Sequence, residues 1–324
     1  MNSLLSRLAL CALVFAAGTA LAQTPANKPM RIIVPYAAGG VTDAVARVVA
    51  ARMAESMGRP VLVENRPGGS TIIGMQACAK ADPDGLTTCI TVPDSLSYNP
   101  QLFTNLPYDA EKDFAPVINL GFTNNLLVAN AGAPFSNYKE MIAYAKANPG
   151  KLNWGTWGAA TIPDVYLRWV TRHAGVDIVS VPYKGSAGTI PAVLSGEVNI
   201  TFMGFGTALP HIRSGKMKAI VAVGHRRSPF MPELPTLAEE GGDPGLVSYF
   251  GIFAPAATPK ATVDALNAEF NKAMRTPQVV EFYKNYTIDG SPNTAAEFAV
   301  LVKSDRENAA KVFQGIGIKP SLAP

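Results

Sequence analysis

Arg31-Ile-Ile-Val-Pro-Tyr-Ala-Ala-Gly-Gly-Val-Thr-Asp43 reads as a strand, a glycine loop and the start of a helix. The apolar run 32–34 suits a buried strand, and Val45, Val48, Val49, Met53 and Met57 recur at the three-and-four spacing of an amphipathic helix beginning near Thr42. Gly39 and Gly40 let the backbone approach a ligand closely. The free N–H groups and positive dipole end of the following helix favour an anion there.

Outward from this unit the same alternation continues. Short β-branched runs at 31–34, 61–64, 87–92, 126–130, 152–156, 178–181, 200–203 and 219–223 are separated by helical patterns, the rhythm of parallel α/β architecture. Helices are predicted over 72–80, 138–147 and 262–274, the last two ended by Asn148-Pro-Gly150 and Pro277. Two extended apolar crossings, near 123–130 and 247–254, divide the chain into a discontinuous first domain, 23–125 plus 251–324, and an inserted second domain, 126–250. A second glycine loop, Leu152-Asn-Trp-Gly-Thr-Trp-Gly158, leads into Thr161-Ile-Pro-Asp164, a capping-box pattern with proline in the first turn. Facing each other across a cleft, the two loops could clamp one carboxylate. Taken singly, each is also an ordinary strand-to-helix turn.

Residues 1–22 carry Arg7, an apolar segment 8–17 and a small-residue exit Ala20-Leu-Ala22, which predicts an export signal cleaved after Ala22 and a periplasmic mature chain. The apolar stretch is shorter than the ~20 residues a spanning helix needs. Leu10 stands before Cys11 where a lipid-attachment motif wants a small residue, so no membrane anchor is expected. Only Cys78 and Cys89 then remain, in a compartment that permits disulfides. A bond between them would tie a helix to the next strand across Asp82-Pro-Asp-Gly85; two buried unbonded thiols are the other reading.

A formal charge of +4 with 16% charged residues is too small and too dispersed for a nucleic-acid surface. His173, His211 and His225 lack the helical pair spacing of common zinc sites, and no Cys-x-x-Cys, Gly-x-Ser-x-Gly or phosphate loop occurs. No metal, no cofactor and no enzyme activity are expected. A secreted hydrolase or lyase would need a triad assembled only in space.

The chain resembles the Bug-type extracytoplasmic solute receptors, the substrate-binding subunits of tripartite tricarboxylate transporters, along essentially its whole mature length. The resemblance rests on Val34-Pro-Tyr-Ala-Ala-Gly-Gly-Val-Thr-Asp43, Val63-Glu-Asn-Arg-Pro-Gly68, Pro83-Asp-Gly85, Leu106-Pro-Tyr-Asp109 and Lys112-Asp-Phe-Ala-Pro116. It continues in Val181-Pro-Tyr-Lys-Gly185, Ala208-Leu-Pro-His-Ile212 and Pro235-Thr-Leu-Ala-Glu239. It implies a type II periplasmic binding fold, two α/β lobes joined by two hinge strands around a ligand cleft, in a monomer that closes on a small carboxylate. Two partners follow from it as alternatives: the membrane permease subunits of a transporter, or the periplasmic domain of a sensor kinase.

Position by position, Tyr36, Gly39, Gly40, Thr42 and Asp43 match the first-lobe loop, Ser95 matches a small hydroxyl position before Asn99-Pro100, and Gly158 and Thr161 match the second-lobe loop. The chain departs where Trp157 replaces an expected serine, Ala160 a glycine and Asp164 a frequent histidine. Met203-Gly-Phe205 replaces a segment that often contains Asp-Asn. Methionine at 203 would leave a ligand's ammonium group unpaired, whereas Trp157, Tyr36, Phe205 and Tyr249 offer flat apolar walls or, equally, core packing. The expected ligand is therefore an aromatic or otherwise apolar-bodied mono- or dicarboxylate. Lys184 reads first as a solvated loop residue, Arg66 as a structural cap or a docking contact, and Asp43 first as a residue that stabilises its helix start and second as one that holds the loop or a bridging water.

Overall fold

The fold is taken from a computed structural model, which describes residues 28–321 apart from 159–160, 225–226, 229–230 and 291. The expected signal segment 1–22, Ala160 and His225 lie outside the described residues. In chain order the elements are β1 (Met30–Val34), α1 (Val41–Met57), β2 (Val61–Asn65), α2 (Ile72–Ala79), β3 (Thr87–Thr91), a π-helical turn (Asp94–Tyr98) and α3 (Asn99–Leu102). There follow β4 (Phe114–Thr123), β5 (Asn125–Asn130), α4 (Tyr138–Ala147), β6 (Leu152–Thr156), α5 (Ile162–Ala174), β7 (Ile178–Pro182), α6 (Ser186–Ser195), β8 (Ile200–Gly204) and α7 (Phe205–Arg213). The chain ends with β9 (Met217–Val223), β10 (Tyr249–Pro255), α8 (Lys260–Met274), α9 (Pro277–Tyr286), β11 (Ile288–Asp289) and α10 (Ala295–Gly315).

Two sheets result, each the floor of one lobe. The first is six-stranded, β11-β4-β10-β3-β1-β2, and the second five-stranded, β7-β6-β8-β5-β9. Every run read as a strand is one. The sheets are nevertheless mixed rather than purely parallel, because β10 runs antiparallel to β3 and β4, and β5 antiparallel to β8 and β9.

The opening unit folds as its pattern requires. Ile32 and Val34 are fully buried in β1, and α1 turns Val45, Val49 and Met53 into the same core before Gly58 ends it in the left-handed conformation. Cys78 of α2 and Cys89 of β3 are bonded, with Cα atoms 6.0 Å apart. Because the bridge closes a short loop of sequence separation 11, the chain-entropy model gives it about 3 kcal/mol. A Cys78→Ala/Cys89→Ala chain should lose about that much in urea unfolding, and an unchanged midpoint would remove the bond from the stability account.

The buried apolar residues of the first lobe join those on the α5 side of the second sheet in one contiguous cluster, so the lobes are packed together. A second cluster, with Leu126, Val128 and Met203, lies under α6 and α7. Asn124 alone separates β4 from β5. Thr123 binds the second crossing directly, its N–H donating to Ser248 O at 2.8 Å and its hydroxyl to Ser248 Oγ at 2.7 Å. Thr123, Asn125, Tyr166 and Ser248 help line a cavity of about 10 Å³ behind this junction, the size of roughly one water.

Candidate functional site

Three helices begin at one place between the lobes. α1 starts from Gly40, α5 from Thr161 and α6 from Gly185, and none of the three starts has a side-chain cap. A Cβ placed on Gly40 would lie 3.7 Å from Ser186 Oγ, which puts the first-lobe loop against the start of α6. The Gly185 N–H donates to Trp157 O at 3.4 Å, and a Cβ on Gly158 would lie 3.7 Å from Tyr183 O, so α5 and α6 start side by side. α7 begins nearby: a Cβ on Gly204 would lie 3.9 Å from Val41 Cγ2, although the Phe205 N–H is already engaged by Asn124 O. First-turn N–H groups carry the positive dipole end of a helix, although those of Asp164 and Gly188 already reach Thr161 O and Gly185 O. Such helix starts are the kind of place where an anion is favoured.

The backbone at the loops requires glycine at two places. Gly39 has φ +91° and Gly158 φ +116°, conformations in which a side chain would be strained. Thr42 is half-buried in the first turn of α1.

Asp43 holds the first-lobe loop. Its Oδ2 accepts the Gly39 N–H at 3.0 Å and Arg47 Nε at 3.0 Å, and its Oδ1 accepts Asn65 Nδ2 at 2.9 Å. Burial alone would raise its carboxyl, but the bonds from Arg47, Gly39 and Asn65 outweigh that and hold it below the usual range. The role read first from the sequence was to stabilise the helix start; the structure adds the hold on the loop backbone.

Beneath the loop the half-buried Tyr36 donates its hydroxyl inward to Asp94 Oδ1 at 2.6 Å. Burial pushes the Asp94 carboxyl up to about 7. Ser95 is fully buried beside it, hydrogen-bonded to Thr71 at 2.8 Å and to Thr91. It therefore underpins the loop from within the first-lobe core.

In the second lobe the expected capping box at Thr161 does not form. The Thr161 hydroxyl turns back to Gly158 O at 2.8 Å, bracing the loop, while Asp164 pairs with Arg168 Nε at 3.0 Å. Thr161→Ala should lose that brace, worth about 1 kcal/mol, and weaken ligand binding several-fold without unfolding the chain; unchanged affinity in a titration would separate the brace from the site. Trp157 is half-buried, and its indole N–H is shielded from solvent without a partner among the described residues.

Met203 and Phe205, expected at the ligand, sit in the second-lobe core at 2% and 1% exposure. Met203 lies on the face of β8 that α6 and α7 cover, packed with Leu126 and Val128. Tyr249 is likewise buried, its ring edge-on to Phe298. Lys184 is exposed, and Arg66 pairs with Glu64 at 2.7 Å. His173 stacks on Trp169. No cluster of potential metal ligands occurs among the described residues.

Sequence reading missed Gly185, Ser186 and Gly204 as parts of the site. The signal was present, because each glycine follows a strand and precedes a helical pattern, as Gly40 does.

Residues 45–318 match the family described as the tripartite tricarboxylate transporter family receptor. The chain belongs to this family. A UPF0065 protein of Bordetella pertussis is 32% identical over 319 residues and 98% of each chain. The solved structure of periplasmic binding protein BugD is 30% identical with a TM-score of 0.83, covering 90% of this chain and 99% of that one. An R. palustris protein solved with adipate is 28% identical with a TM-score of 0.84 over 90% of this chain and 98% of its own. The protein is thus a Bug-type solute receptor with the two-lobed binding fold, from a family of periplasmic receptors rather than enzymes. No described helix is long and apolar enough to cross a membrane.

Proposed function

We propose that this receptor captures an apolar-bodied mono- or dicarboxylate between its lobes and delivers it to the membrane permease of a tripartite tricarboxylate-type transporter. The convergence of three uncapped helix starts from two lobes carries the reading. Each charge-assisted hydrogen bond contributes about 1.5–3 kcal/mol, so a few suffice for roughly micromolar affinity. Acidic side chains that could hold an ammonium group are otherwise engaged: Asp43 by Arg47 and Asn65, Asp94 by Tyr36, Asp164 by Arg168. This disfavours amino acids. Adipate in the related structure is an apolar-bodied dicarboxylate, and the half-buried Trp157 is the flat side chain at the second-lobe loop, its shielded indole N–H without a partner among the described residues.

Ligand favours the closed form only through its greater affinity for closed than for open lobes, and donors supplied by both lobes create that difference. Titration of ligand-free mature protein with adipate, terephthalate, benzoate, citrate and glutamate tests the reading. Preference for the first three supports it, preference for citrate discards the apolar body, and binding of none discards carboxylate capture.

A further inference from the structure

We infer that Asn65 is a positioning residue for the first-lobe loop, acting through Asp43 and the backbone at 36–40; its effect on affinity rests on the carboxylate reading above. Asn65 ends β2, the edge strand beside β1. Its Nδ2 donates both to Tyr36 O at 3.1 Å and to Asp43 Oδ1 at 2.9 Å, while its Oδ1 accepts Arg47 Nη2 at 2.9 Å. Asp43 in turn accepts the Gly39 N–H. A continuous hydrogen-bonded path therefore runs from the sheet edge to the loop backbone.

The Tyr36 ring is anchored from below by its hydroxyl on Asp94, but the residues after it have little packing to hold them. A Cβ on Gly39 would meet nothing within 4 Å, and residues 37–39 are exposed, so packing does not fix their conformation. Arg47 forks onto both Asp43 oxygens, Nε on Oδ2 and Nη2 on Oδ1, each at 3.0 Å, but its own side chain is 52% exposed and it makes no bond to the Tyr36 carbonyl. Asn65 supplies the second constraint, and among the described residues it alone joins the Tyr36 carbonyl to the Asp43 carboxylate. The chemistry demands a side chain with two donor hydrogens and one acceptor at this length. Aspartate has the shape but would turn an acceptor toward two acceptors; serine lacks the reach and the second hydrogen. An untethered loop must be ordered again each time ligand binds, and that ordering opposes affinity.

Amide hydrogen exchange in the ligand-free protein tests positioning without any ligand. In Asn65→Ala, exchange at 36–40 should quicken tenfold or more, with the amides of β1 and the middle of α1 unchanged. Asn65→Asp, which keeps the Arg47 contact, should behave like Asn65→Ala, and the pair Asp43→Asn/Asn65→Asp should recover part of the loss by restoring one donor between the two side chains. Titrated with adipate, both single variants should bind about tenfold more weakly. Wild-type exchange at 36–40 in Asn65→Ala, or wild-type behaviour of Asn65→Asp, would overturn the assignment. If wild type binds none of the carboxylates, the functional reading falls while the exchange arm still decides this one.

Discussion

Gly40→Asp is expected to stabilise the ligand-free receptor and abolish carboxylate binding. Gly40 sits at the start of α1 with φ −80° and ψ 169°, a conformation open to any residue, and a Cβ there would make only ordinary contacts, at 3.7 Å to Ser186 Oγ and 3.9 Å to Ala37 O. An aspartate would cap the first-turn N–H groups that glycine leaves bare. Capping and the loss of glycine's freedom in the unfolded chain together contribute about 0.5–1 kcal/mol. The same carboxylate occupies the donors that a ligand needs and repels it electrostatically. Losing even one or two charge-assisted bonds costs about 3 kcal/mol, more than a hundredfold in affinity. Urea unfolding and a ligand titration read the two effects separately. Retained affinity would take the start of α1 out of the site.

Stability should fall as pH rises from about 4 to about 7. Asp94 and Asp305 are each 3% exposed, and burial pushes both carboxyls up to about 7. Tyr36 and Ser95 face Asp94; Ser97, Tyr249 and Arg306 face Asp305, and these contacts favour the charged forms without overcoming burial. The folded chain thus keeps protons that the unfolded chain releases near 3.8, the ordinary aspartate value. The folded state binds more protons in that window, so the unfolding free energy declines with pH across it, by on the order of a few kcal/mol for the two groups together. Asp43 acts oppositely: its lowered carboxyl contributes stability above the unfolded value and loses it as pH falls through the folded one. Unfolding midpoints between pH 4 and 8 should flatten in Asp94→Asn/Asp305→Asn. An equal slope in that variant would refute the assignment.

Most of the framework was legible because its strands are apolar and bounded by turns. β4 was not, since Pro116, Asn119 and Gly121 interrupt its run, and its pairing comes from β10 across the chain. The segment now seen as β10 was legible as an extended crossing, yet nothing local showed that it enters the middle of the first sheet. The site divided the same way. Glycine loops at Gly39 and Gly158 were visible, but Asp43 was read first as a helix-start residue, and its brace on the loop depends on Gly39, Arg47 and Asn65 meeting it in space. Met203 and Phe205 were placed in the cleft by the resemblance, where they replace a polar segment; the second sheet is covered on both faces, so alternation along β8 could not show that Met203 joins the core, and Phe205 already belongs to α7. Asn65 was quoted only within a motif. Its partners are distant in sequence and local patterns do not reveal them.

The bond between Thr123 and Ser248 bears on how such a molecule moves. Two separate tethers would let one lobe slide, twist or bend against the other. Stitched side by side, they behave as a single ribbon, stiff in its own plane and compliant across it, which leaves one soft direction. Under the proposed capture by closure, opening and shutting would then trace one path. A membrane partner touching only the outer rims of both lobes would read occupancy from the gap between them, as a caliper does.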